Sequence, residues 1–178
     1  MPTHKEDFNT RNKDGENLSE KVAKEYFCSG KYKFKEKFYI IQTGTNAMNG
    51  DITGTKIPGK VWKKVPRIIR NYPDFLIVSD NNQYYIECKG CKNAEVHFKI
   101  LDLESYGYWN SKHIKVIMFV YDTTTNHFFM ISYACLNKMI QEGNYKKDIY
   151  QDSKEEYYKV PVKDITLAKT GKSIERKK

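Results

Sequence analysis

Two acids and a lysine stand out as residues able to do chemistry together. Asp74 follows the one Pro-Asp pair of the chain and opens its most apolar stretch, residues 74–79. Twelve residues separate it from Glu87, which begins the triplet Glu87-Cys88-Lys89. Acid-x-lysine triplets are common in a lysine-rich chain, and this one recurs at Asp152-Ser153-Lys154 and Glu175-Arg176-Lys177. Those two lie in polar segments with no Pro-Asp upstream. The first ends a run of strand-forming residues, and that context sets it apart.

Strand alternation carries the argument from types to geometry. Glu87 and Lys89 share one face, and Cys88 shares the other with Ile86. With Asn81-Asn82 as a two-residue turn, Asp74 lies opposite Lys89 and Glu87 opposite Leu76. Asp74 and Glu87 are then diagonal neighbours, their stems roughly 7 Å apart or less. Carboxylates at that distance repel unless a cation sits between them, and hard oxygen ligands suit magnesium or manganese. The lysine beside them can position or help deprotonate a water for attack on phosphorus, while the metal stabilises the developing charge. The competing reading is a salt-bridged strand end, but two acids and a lysine at a buried strand tip add little stability.

The elements that must position these side chains can be read from periodicity. Asn17-Leu18-Ser19-Glu20 reads as a helix start, with Leu18, Val22, Ala23, Tyr26 and Phe27 at helical spacing. Residues 38–41 read as a strand, and residues 44–60, with four of the ten glycines, as a mobile loop. In the segment that follows, Lys60, Lys63, Lys64, Arg67 and Arg70 interleave with Trp62, and Pro66 argues against one continuous helix. Residues 74–79 and 83–89 read as a strand pair joined by a turn over 80–82. A helix is expected over 97–110, with Phe98, Leu101 and Tyr108 or Trp109 on one side. Strands are expected over 114–121 and 128–133, a short helix over 136–141 and a late strand over 157–162. The order α-β-β-β-α-β-β-α implies an α/β sandwich. Residues 1–16 read as a flexible arm, 17–168 as a single domain and 169–178 as a basic, disordered tail.

Composition bounds the rest. The chain has 178 residues, 39% of them hydrophobic and 14% aromatic, enough for one domain with a real core. No stretch approaches the roughly 18 apolar residues that cross a bilayer. Residues 1–7 are polar, with no signal-peptide hydrophobic region. Membrane, secreted and fibrous classes are disfavoured, and a cytoplasmic location is expected, the host cytoplasm for a phage-encoded chain. The net charge of +9 suits a polyanionic partner through counterion release. Yet 27 of the 31 basic residues are lysine, which the codon bias of an AT-rich genome also produces. Cys88 and Cys91 form a C-x-x-C with no second pair, so free buried thiols are the expectation for the cysteines rather than a zinc site. Gly54-x-x-x-x-Gly59-Lys60 looks like a phosphate-binding loop, but Val61 stands where the magnesium-holding Ser or Thr belongs.

The pattern Pro73-Asp74 … Glu87-Cys88-Lys89 resembles the PD-(D/E)XK nuclease superfamily, which includes restriction endonucleases, Holliday-junction resolvases and many phage nucleases. The resemblance spans about residues 17–133 in element order. It implies a restriction-endonuclease-like core, a central mixed β-sheet flanked by helices. It also implies an auxiliary metal ligand on the first helix, where Glu20 fits best and Glu16 and Glu25 are alternates. A helix-capping role is the other reading of Glu20, which falls three residues after Asn17. Many members carry Gln-x-x-x-Tyr on the helix after the motif lysine. The matching spacing here is Asp102-Leu103-Glu104-Ser105-Tyr106, with aspartate in place of glutamine. Tyr106 is then a DNA contact or a core aromatic, and Asp102 a solvated acid.

Together these readings describe a Mg2+-dependent DNA endonuclease, with Mn2+ able to substitute. Asp74, Glu87, the Cys88 backbone carbonyl and Glu20 would be metal ligands, and Lys89 the water-positioning group. Lys60, Lys63, Lys64, Arg67, Arg70 and Tyr106 would contact DNA. No membrane and no small-molecule cofactor are expected. Symmetric double-strand cutting would need two active sites, hence a homodimer. The rival readings are a nuclease fold kept for DNA or RNA binding with inactive acids, and a phage-encoded factor that acts on a host protein.

Overall fold

The strand pair around Asp74 and Glu87 forms, and it lies inside a larger sheet. The computed structural model describes residues 18–29, 37–44, 58–91 and 93–169. Helix α1 (Leu18–Cys28) is followed by β1 (Phe38–Gln42), the short helices α2 (Gly59–Trp62) and α3 (Arg67–Arg70), and β2 (Phe75–Ser79). Next come β3 (Gln83–Cys91), β4 (Glu95–Lys99), α4 (Ile100–Ser111), β5 (Lys115–Asp122), β6 (His127–Ser132) and α5 (Tyr133–Glu142). The last described elements are β7 (Lys147–Ile149), β8 (Glu156–Pro161) and α6 (Val162–Lys169). The expected arm and most of the expected loop over 44–60 and of the tail lie outside the described residues.

Five strands form the main sheet in the order β1-β2-β3-β5-β6, and β4-β8-β7 form a smaller one. Only β3 and β5 run parallel; the other neighbours are antiparallel. A parallel pair needs a long crossover, and β4 with α4 supplies it. The expected class, α/β with a central mixed sheet flanked by helices, is the one observed. The central strands separate two apolar layers. Phe75, Ile77, Ile86, Cys88 and Phe119 pack under Ala23 and Phe27 of α1. On the opposite face Tyr85, Val116, Met118 and Val120 meet Leu103 and Tyr106 of α4 and Leu136 and Ile140 of α5. Each layer removes apolar surface from water at about 25 cal/mol per Å², so the central strands are fixed from both sides.

The register of the central hairpin differs from the expected one. Phe75 pairs with Ile86, Leu76 with Tyr85 and Val78 with Gln83. The turn lies one residue earlier than expected: Ser79 N donates to Asn82 O at 2.8 Å and closes it around Asp80-Asn81. A shift by an even number of residues leaves every side chain on its expected face. Its effect is to bring Asp74, the next position beyond Phe75, level with Glu87 rather than with Lys89.

The helix expected over 97–110 starts later. Glu95 to Lys99 is a strand whose Val96 and Phe98 are buried, and it pairs with β8, Phe98 opposite Tyr158. Strand pairing with so distant a segment is invisible to local periodicity, so Phe98 belongs to the sheet. Of the two aromatics expected to share a side with Leu101, Trp109 packs against the core and Tyr108 is 48% exposed; the buried residues of α4 are Leu103, Ser105 and Tyr106. Leu18 is likewise 41% exposed, because α1 buries Ser19, Ala23 and Phe27. The late strand stops at Pro161 and gives way to α6, which periodicity did not reveal, as it did not reveal the three-residue β7.

Candidate active site

Asp74 sits where the exits of β1 and the entry of β2 meet. Thr43 N and Gly44 N, just past β1, donate to the Asp74 carbonyl at 2.9 and 3.0 Å, and Thr43 Oγ1 donates to the Pro73 carbonyl at 2.7 Å. Pro73 has no N–H that this crossing would leave unpaired. The close approach depends on Gly44, where a Cβ would lie 2.9 Å from Asp74 Cα and 3.0 Å from Asp74 Oδ1. The carboxylate itself is aimed by Cys88 N, which donates to Asp74 Oδ2 at 2.7 Å.

Glu87 and Lys89 reach the same place from β3. Alternation turns both toward α4, while the Cys88 side chain joins the layer under α1. Only the backbone of Cys88 is left to the site, and burial pushes its thiol pKa well up. Cys91 belongs to the other layer, so the two cysteines cannot share a metal. Both are free and buried as expected, whereas Cys28 and Cys135 are free and exposed. Glu87 is 7% exposed and accepts a hydrogen bond from the Tyr106 hydroxyl. Lys89 Nζ lies 2.8 Å from Glu87 Oε1 and 3.1 Å from Asp102 Oδ2. Its ammonium also lies over the Tyr106 ring, 5.8 Å from the centroid. Residues 102 and 106 are four apart, so α4 presents Asp102 and Tyr106 one above the other on the face that meets β3.

Glu20 of α1, Asp74, Glu87 and Asp102 line one open cleft of about 180 Å³, together with Arg70 and Tyr106. Gln42, Asn71 and Tyr72 complete its walls, and the Tyr72 hydroxyl is hydrogen-bonded to that of Tyr85. Excess acid governs the electrostatics. Burial, then the charges of Glu87 and Glu20, hold the Asp74 carboxyl well above the usual range. Burial also raises Glu87, and Asp102 adds to this against the pull of Lys89. For Lys89, burial works against the charge, but Glu87 and Asp102 outweigh it and keep the amine above its ordinary pKa. Carboxyls pushed upward beside a lysine pushed the same way mark a site short of positive charge.

A hard dication fits that shortage. Carboxylate oxygens are its preferred donors, and the cleft has room for an ion with waters. Among the described residues, however, no three His, Cys, Asp or Glu side chains stand as a ready-made metal-binding group. Glu87 is engaged by Lys89 instead.

The structure brings Glu20, Asp74 and Glu87 to one cleft and Lys89 onto Glu87. Of the alternates to Glu20, Glu25 is exposed and Glu16 lies outside the described residues. Tyr106 is a core aromatic at 2% exposure: it lines the floor of the cleft with its hydroxyl on Glu87 and supports that acid. The basic segment divides at Pro66 as expected. Lys60, Lys63, Lys64 and Arg67 are exposed, and Arg67 Nη2 pairs with Glu104 at 2.8 Å. Arg70 alone of the five lines the cleft, with its Nε donating to Val65 O at 2.9 Å. Asp102 differs from the solvated acid that its sequence context suggests. It is instead 17% exposed and paired to Lys89, and the four-residue spacing to Tyr106 was the signal that linked it to the site.

Fold and site together define an α/β protein with a buried acid-and-lysine cleft at the meeting of its central hairpin and two helices. No known family model and no curated protein sequence matches the chain. Two solved structures are similar to it in fold. One is Hjc, a Holliday junction resolvase from the archaeal hyperthermophile Archaeoglobus fulgidus, at 10% identity and a TM-score of 0.49, covering 85% of this chain and 93% of that one. The other is a nuclease from a fusselovirus, at 14% identity and a TM-score of 0.44, covering 96% of this chain and 95% of that one.

Proposed function

We propose that this protein is a divalent-metal-dependent nuclease that hydrolyses phosphodiester bonds in DNA. One observation carries the reading: Asp74, Glu87 and Glu20, from three separate segments, line a single cleft in which burial raises the carboxyl pKa of both Asp74 and Glu87, with Glu87 and Glu20 adding to the first and Asp102 to the second. Such an arrangement is costly for a fold and useful for holding a cation. Asp74, Glu87 and Glu20, with the Cys88 carbonyl, would hold Mg2+ or Mn2+. A metal bound there supplies charge to the phosphate oxygens and lowers the pKa of a bound water. Lys89, kept as an ammonium, donates hydrogen bonds that orient the attacking water and offset charge on phosphorus. Arg70, inside the cleft and without a carboxylate partner among the described residues, is suited to grip the phosphate being cut. Lys60, Lys63 and Lys64 extend the positive surface beyond it for the flanking backbone.

The test is cleavage of supercoiled, linear, single-stranded and four-way-junction DNA with Mg2+ and with EDTA. Cleavage of one or more substrates is expected with the metal and none with EDTA. Lys89→Ala is expected to abolish cleavage while binding of the substrate DNA survives. A purified Lys89→Ala protein that cuts at near wild-type rate would refute the assignment.

The engagement of Glu87 by Lys89 favours a second reading, an inactive nuclease fold that binds nucleic acid. Titration with Mn2+ separates the two. Binding that Asp74→Ala and Glu87→Ala remove supports the nuclease, and no binding supports the inactive fold.

A further inference from the structure

Lys89 has two carboxylate neighbours, and only one of them is a metal-ligand candidate. Its Nζ lies 2.8 Å from Glu87 Oε1 and 3.1 Å from Asp102 Oδ2, with the Lys89 and Asp102 side chains 14% and 17% exposed. While the ammonium rests on Glu87, that acid is satisfied without any other cation, and no three ligands among the described residues are arranged for one. For Glu87 to serve a dication it must release Lys89. An ammonium left without a carboxylate in so buried a place is strongly unfavourable and opposes binding. It would also be repelled by the incoming charge. Asp102 removes this obstacle. It comes from α4 and already accepts a hydrogen bond from the same nitrogen. Tyr106, one turn later on α4, lies under the ammonium and keeps a hydroxyl on Glu87, so that acid stays hydrogen-bonded while the amine changes partner. Glutamine, the residue that the family pattern places here, carries no charge with which to hold the ammonium.

We propose that Asp102 is a positioning residue that takes Lys89 over from Glu87 when a divalent cation enters the cleft, so that the Lys89–Asp102 pair sets how tightly the site holds metal. The inference rests on the nuclease reading of the same cleft, and the experiment distinguishes their failures. Wild type, Asp102→Asn, Lys89→Met and the double variant are titrated with Mn2+ by calorimetry, with Asp102→Glu as the conservative variant and circular dichroism to establish folding. Asp102→Asn is expected to weaken Mn2+ binding about tenfold where Lys89 is present and by less than about threefold where methionine replaces it. Asp102→Glu is expected to restore affinity to within about threefold of wild type. An equal loss in both backgrounds would mean that Asp102 acts on the cation directly as a charge, and would overturn the inference. So would an Asp102→Asn protein that binds Mn2+ as wild type does. If wild type binds no Mn2+ at all, the nuclease reading falls and takes this inference with it.

Discussion

Asp74→Asn is expected to stabilise the metal-free protein while removing its response to divalent metal. Asparagine keeps the shape of the side chain and an oxygen to accept from Cys88 N, the contact at 2.7 Å. It removes a charge whose pKa is held well above the usual range by burial and then by Glu87 and Glu20. For an acid with a raised folded pKa, the folded state binds the proton more tightly than the unfolded state does. Stability therefore falls as pH rises from about 4, the ordinary carboxylate value, through the raised folded value. Asparagine is neutral throughout and escapes that loss. The two proteins should melt close together near pH 4 and diverge as pH rises to about 8. Relief of this kind is worth about 1–2 kcal/mol, or about 2–8 °C in Tm for a chain of this size.

Metal acts in the opposite direction on the same pair. At a hundredfold excess over Kd, binding adds about 2.7 kcal/mol to the wild type, or about 5–11 °C. The variant should gain nothing. Scanning calorimetry in EDTA and in Mn2+, at both ends of this pH range, reads all four cases. A lower Tm for Asp74→Asn in EDTA at about pH 8 would refute the reasoning, because it would mean that the charge on Asp74 stabilises the empty site. A gap that does not widen with pH would refute it too.

Gly44→Ala should disturb the site through the backbone, since its Cβ would meet Asp74 Cα at 2.9 Å. A loss of about 1–3 kcal/mol in urea unfolding is expected, together with weaker Mn2+ binding; unchanged stability would mean that the crossing of β1 and β2 can yield. Arg70→Ala should lower kcat by about 10²–10³-fold, the loss typical of one donor to developing charge. The combined change of Lys60, Lys63 and Lys64 to alanine should instead weaken binding and flatten its salt dependence, with kcat kept. Kinetics over a range of salt concentrations would expose a reversal of these two patterns.

What was legible in the sequence is what depends on a residue and its near neighbours. The split between Glu87 and Lys89 on one face and Cys88 on the other follows from alternation alone, and it survived a register shift because that shift was even. The break at Pro66 is equally local. What was not legible depends on partners far along the chain. Residues 97–99 carry no local mark that separates a strand from the first turn of a helix; β8, some sixty residues on, decides it. That displacement also fixes where α4 begins, and so why Asp102 falls in its first turn, beside Lys89, rather than in solvent. Tyr106 shows the same dependence. Its spacing from Asp102 was readable, but whether it faces DNA or the underside of Glu87 is set by how α4 packs on β3. The charge of the chain divides along this line as well. Lysine-rich composition explains the exposed Lys60, Lys63 and Lys64 without any function. It does not explain a lysine held between Glu87 and Asp102, or an arginine lining an acid cleft with a backbone carbonyl as its anchor. Those two cations have positions that composition cannot assign, and they are the ones on which the proposed chemistry depends.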